Sequence, residues 1–98
     1  MTTTLADVRR ANTNWFSRSN KRFFGDCGYK VLTAKSGQKY LVRLSGAWSD
    51  MFGRPKSYNY YLNPINPDLS IGTLVDGPDG CPLKFADLDD VKEWLRDN

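Results

Sequence analysis

The sequence predicts an α+β domain: a mainly antiparallel sheet of about four strands packed on one face against an N-terminal and a C-terminal helix. Three observations carry this. Apolar residues recur at helical spacing near both ends of the chain, and they alternate with a period of two between about residues 29 and 76. Clusters of Gly, Pro, Asn, Asp and Ser separate the alternating runs closely enough for hairpins rather than crossovers. With 98 residues the chain has room for one domain, residues 1–98, and a modest core.

The first helix starts at Thr4, whose hydroxyl can cap it while Asp7, three residues on, answers the Thr4 amide; Leu5, Val8 and Ala11 follow on one face, and Asn12 to Asn14 close it. A second, two-turn helix is expected from about Ser17 to Phe24 within "NWFSRSNKRFFGD". Stepping by about 100° per residue groups Phe16, Phe23 and Phe24 on one side and Arg18, Lys21 and Arg22 on the other. Gly25 stands where a C-terminal cap belongs.

"YKVLTA" and "KYLVRLS" then form a hairpin across "KSGQ" with Gly37 in the turn, and Tyr29, Val31 and Thr33 are expected to meet Tyr40, Val42 and Leu44. "SYNYYLN", with Tyr58, Tyr60 and Leu62 alternating against Asn59 and Tyr61, is a third strand that the two Asn-Pro pairs of "NPINPD" should stop. "LSIGTLVD" is expected as the fourth, leading into a tight turn at "GPDGCP". The last helix starts at Asp87 as N-cap and lines up Leu88, Val91, Trp94 and Leu95. The expected core is Leu5, Val8, Phe16, Phe23, Val31, Val42, Leu62, Leu88, Val91 and Trp94.

Composition narrows the chemistry. The chain contains no His, which removes the commonest general base near neutral pH and with it Ser-His and Cys-His nucleophiles. Two cysteines, Cys27 and Cys81, without a CxxC pair are too few for a disulfide scaffold or a structural zinc site, so they are read as reduced, partly buried thiols. Asp87, Asp89 and Asp90 fall in a first helical turn, where the dipole favours negative charge, and "DGPDG" lacks the closing Glu of a calcium loop. These features predict a protein without enzymatic turnover, metal or cofactor. No apolar run is long enough for a membrane span and "MTTTLADVRR" has no signal-peptide pattern, so a cytoplasmic location is expected.

Charge points to a partner. The net charge of +3 divides into about +8 over residues 1–56 and about −5 over residues 57–98. The stretch "SGAWSDMFGRPKS" adds a connection of about a dozen residues, longer than most hairpin loops, which carries Trp48, Met51 and Phe52 beside Arg54 and Lys56. Trp48, Met51 and Phe52 can either tuck under the sheet as a satellite core or stand out as anchors for a partner, since Trp, Met and Arg are enriched where protein interfaces concentrate their binding energy. The expected partner-binding set is therefore Arg18, Lys21, Arg22, Trp48, Arg54 and Lys56. The expected partner is an acidic protein or a nucleoprotein complex. Direct nucleic-acid binding by the basic, aromatic-rich half is the alternative.

The segment from Trp15 to Asp26, an aromatic pair, a basic turn and "FFGD" ahead of a hairpin, resembles a pattern in short uncharacterised proteins of phages, plasmids and their bacterial hosts. The resemblance covers about an eighth of the chain. It implies an accessory factor, some small phage proteins of this size being inhibitors of host defence, and it assigns no active site. The basic balance of the chain sets it apart from acidic DNA mimics.

Overall fold

The structure, a computed structural model, describes residues 3–17, 26–45 and 59–98. Its elements run α1 (Leu5–Ala11), β1 (Asp26–Thr33), β2 (Lys39–Ser45), β3 (Asn59–Ile65), β4 (Lys84–Phe85) and α2 (Leu88–Asp97). The strands make one antiparallel sheet in the order β1-β2-β3-β4. The α+β architecture expected from the sequence is present. The expected helix from Ser17 to Phe24, with Phe23 and the Gly25 cap, lies outside the described residues from residue 18 onward.

The two helices lie on opposite faces of the sheet, which corrects the expectation that they share one. Leu41 and Val42 are consecutive in β2 and both are buried, at 0% and 2% exposure. Leu41 packs with Val8 of α1 and with Ile65, joined by Leu5, Trp15, Phe16, Tyr29 and Val31. Val42 packs instead with Leu62 and with Val91 and Leu95 of α2, joined by Leu32, Tyr40, Leu88 and Trp94. Successive side chains of a strand point to opposite faces, so a central strand buried on both sides reads as a continuous apolar run rather than an alternation. The described members of the expected core all lie in these clusters, but Leu5, Phe16, Val31, Leu88 and Trp94 are only half-buried. Leu41, Ile65 and Ala34 are buried without having been named for the core, and Leu95, expected in the stripe of the last helix, is buried with them.

The hairpin turn has its own chemistry. The Gly37 amide donates to the Ala34 carbonyl at 2.9 Å and the Ala34 amide to the Gln38 carbonyl at 2.8 Å, with Gly37 at φ 93°, a turn followed by one left-handed residue. That geometry sets the register: Val31 faces Leu41 and Tyr29 faces Arg43. Tyr29 and Val31 thus share a face with Leu41 and Arg43, not with Tyr40, Val42 and Leu44 as expected.

β3 does not stop at the first Asn-Pro pair. Pro64 lies opposite Tyr40 inside the ladder, and the strand runs to Ile65. The Pro64 carbonyl accepts from the Gly72 amide at 2.8 Å, away from β2. In an antiparallel strand a residue's N–H and C=O point to the same side, so the missing Pro64 donor removes nothing from the β2–β3 ladder. Its absence acts on the other side. The expected fourth strand "LSIGTLVD" forms no continuous ladder there: it bridges Ile65 at Ile71, makes the Gly72 bond and donates the Val75 amide to the Leu62 carbonyl at 3.0 Å, before Asp76 bridges Pro82. β4 forms later, where Phe85 faces Tyr60 and Lys84 faces Tyr61. The turn expected at "GPDGCP" is present, closed by the Gly77 amide on the Cys81 carbonyl at 2.7 Å. Cys81 is exposed rather than partly buried; the side chain of Cys27 lies outside the described residues.

α1 carries the expected capping box: Thr4 Oγ1 accepts from the Asp7 amide at 3.2 Å and Asp7 Oδ2 from the Thr4 amide at 3.1 Å. Asn12 ends the helix and ties it down, its Nδ2 donating to the carbonyls of Val8 at 2.8 Å and Leu69 at 2.7 Å. α2 has Asp87 at its N-cap in extended conformation, but the Asp87 side chain makes no capping bond, so its contribution there is electrostatic.

Candidate functional site

The six residues expected to bind a partner, Arg18, Lys21, Arg22, Trp48, Arg54 and Lys56, all lie outside the described residues. What the fold does show is where their segments attach. Asp26 of β1, Ser45 of β2 and Asn59 of β3 lie side by side in register at one end of the sheet. Residues 18–25 run into Asp26, and residues 46–58 join Ser45 to Asn59. Both stretches are therefore bonded to the same end of the sheet.

Next to that end, on the α1 face, stands a cluster of arginines and rings that sequence reasoning missed. Arg43 is only 4% exposed. Its Nε donates to Asn63 Oδ1 at 2.9 Å, and its guanidinium carbon lies 5.4 Å from the centre of the Trp15 ring and 5.9 Å from that of Tyr61. Burying a guanidinium is costly unless its donors are used, and the ring faces together with the Asn63 carbonyl supply partners. Arg9 of α1 repeats the theme from the exposed side, 5.6 Å from the Phe16 ring centre and 5.9 Å from that of Tyr29. Phe16 and Tyr29 meet edge to face at 4.9 Å, and Trp15 approaches Tyr29 the same way at 6.2 Å. No sequence pattern exposes this arrangement. Arg43 alternates with Val42 and Leu44, a spacing that reads as a solvent-facing position, and only the β2–β3 register brings Tyr61 and Asn63 to it.

Two of the described carboxylates, Asp7 and Asp68, are engaged in local hydrogen bonds. The Thr4 amide and hydroxyl, with Arg10 beside them, hold the Asp7 carboxyl below its ordinary pKa. The Ser70 hydroxyl and amide do the same for Asp68. Both groups are held as anions, the opposite of what a general base poised near neutral pH requires. Among the described residues no group of three His, Cys, Asp or Glu is placed to hold a metal ion. No helix among them is long and apolar enough to cross a membrane.

No family model matches the chain, and neither a curated protein nor a solved structure is detectably similar to it.

Proposed function

We propose that the protein works by binding, without turnover, and that it docks on an acidic protein or nucleoprotein complex through its α1 side and the two segments bonded to the Asp26, Ser45 and Asn59 end of the sheet. One observation carries this reading: the sheet separates most of the opposing charge. Arg9 and Arg10, the latter paired with Asp7, belong to α1 on one face, beside Arg43, whereas Asp89, Asp90, Glu93 and Asp97, which outnumber Lys92 and Arg96 on the same helix, belong to α2 on the other. Asp76 and Asp79 lie in the hairpin whose Val75 and Leu83 pack with α2. A basic face whose neutralising acids lie largely behind the sheet keeps a field that attracts anions and speeds encounter. In the setting that the phage and plasmid resemblance implies, the partner is a host defence complex.

The test is capture from bacterial lysate by the tagged whole chain, with and without nuclease, followed by rate measurements on the captured partner. Under this reading capture survives nuclease, and the folded triple variant Arg18→Ala, Lys21→Ala, Arg22→Ala associates more slowly. Trp48→Ala should mainly speed dissociation. Unchanged capture by the folded triple variant would overturn it.

A second reading, direct binding of single-stranded nucleic acid, draws on the half-buried Trp15 and Tyr61 rings flanking Arg43, because rings next to guanidinium groups can stack on unpaired bases. It predicts nuclease-sensitive capture and a log-log salt slope of about −0.7 per phosphate neutralised on a single strand.

A further inference from the structure

A separate surface lies at the opposite end of β1. Between β1 and α2 a groove of about 470 Å3 is lined by Leu32, Ala34 and Leu95, with Lys35, Lys92 and Arg96 around them. Lys30, two residues before Leu32 on the same strand face, extends the cationic rim along β1. None of these four cations forms an ion pair among the described residues, although Asp89 and Glu93 lie within one turn of Lys92 and Arg96 on the same helix.

The strand beside the groove is the edge of the sheet. Because the Ala34 amide bonds the Gln38 carbonyl, Ala34 and, two residues back, Leu32 direct their backbone groups at β2. Val31 and Thr33, of opposite parity, direct theirs outward, where no described residue bonds them. An exposed row of N–H and C=O groups is a template for another strand.

We propose that this edge and groove take an extended segment of a partner protein in which apolar residues alternate with acidic ones on one strand face. Its backbone pairs with Val31 and Thr33, an apolar side chain lies on Leu32, Ala34 and Leu95, and of the carboxylates two residues to either side one meets Lys30 and the other Lys35, Lys92 and Arg96. Charge decides the occupant. A second copy pairing edge to edge would bring its own Lys30 and Lys35 against these cations, and edge lysines are a common device against such pairing. An acidic strand meets complementary charge instead. The surface is independent of the reading above, since it uses none of the same residues.

The probe is a random library of displayed peptides of about nine residues, long enough for one strand, selected on the folded whole chain. Enriched peptides should carry acidic, apolar and acidic residues at i, i+2 and i+4. The triple reversal Lys35→Glu, Lys92→Glu, Arg96→Glu, all at exposed positions, should weaken the best peptide about tenfold or more. N-methylation of the peptide amides should abolish binding at one parity and spare it at the other. Arg18→Ala, Lys21→Ala, Arg22→Ala should leave peptide binding unchanged, so failure here and failure of the proposed function are distinguishable. No enrichment, anchors at helical spacing, indifference to the triple reversal, or sedimentation as a dimer that the reversal dissolves would each overturn the proposal.

Discussion

Asn63 supplies to Gly72 the hydrogen bond that Pro64 cannot. The Gly72 amide donates to the Pro64 carbonyl at 2.8 Å, and in a regular antiparallel pair the return bond would run from the residue 64 amide to the Gly72 carbonyl. Proline has no such donor, and Asn63 Nδ2 reaches the Gly72 carbonyl at 2.9 Å instead. The same side chain accepts from Arg43 through Oδ1, so one buried amide links the arginine cluster to the segment that follows β3.

Asn63→Ala should therefore cost about 2 to 4 kcal/mol, because it strands the Arg43 Nε and the Gly72 carbonyl together. Urea unfolding of the single and double variants with Arg43→Lys measures the coupling. Additive losses would show that the two side chains act separately.

Gly72→Ala tests the close approach of the two segments. A Cβ on Gly72 would lie 2.9 Å from Pro64 Cγ, a ring atom with little freedom to move. The expected loss is about 1 to 3 kcal/mol, the usual range for overpacking. Thermal unfolding reads it, and a variant as stable as the parent would contradict the contact.

Leu41→Ala and Leu62→Ala probe the two sides of the sheet. Both side chains are fully buried, in different clusters, and each truncation should cost about 2 to 5 kcal/mol. Since they share no packed partner, the double variant should lose the sum to within about 0.5 kcal/mol. A large interaction energy would mean one continuous core.

The capping box makes a pH prediction. Asp7 and Asp68 both have folded pKa values below the ordinary 3.8, so each contributes stability that is present above the unfolded value and is lost as pH falls through the lower folded one. Thr4→Ala removes the hydroxyl bonded to the Asp7 amide, for about 0.5 to 2 kcal/mol at neutral pH. It should also shallow the decline below about pH 4 as the Asp7 pKa returns toward its ordinary value. A parallel pair of stability curves would separate the Asp7 pKa from the cap.

Thr4 with Asp7, the Gly37 turn and the α2 stripe were legible because each rests on contacts within a few residues, where side-chain chemistry and periodicity act directly. The two-sided burial of β2 was not. Leu41, Val42, Arg43 and Leu44 fit either a one-sided strand or a central one, and only the presence of a helix on each face decides which. The Arg43 cluster was hidden for a related reason: its partners come from three separate stretches of chain, and a shift of one residue in the β2–β3 register would send Tyr61 to the other face. The candidate binding residues were read from charge and aromatic content. Their attachment to one sheet end follows from strand pairing over long sequence separations, which the turn geometry and the packing of both faces set together. The sequence by itself thus determined the elements, their caps and the basic and acidic halves. Tertiary structure decided which face each helix covers and hence that most of the acids lie behind the sheet, because a strand's two faces differ only in what packs on them.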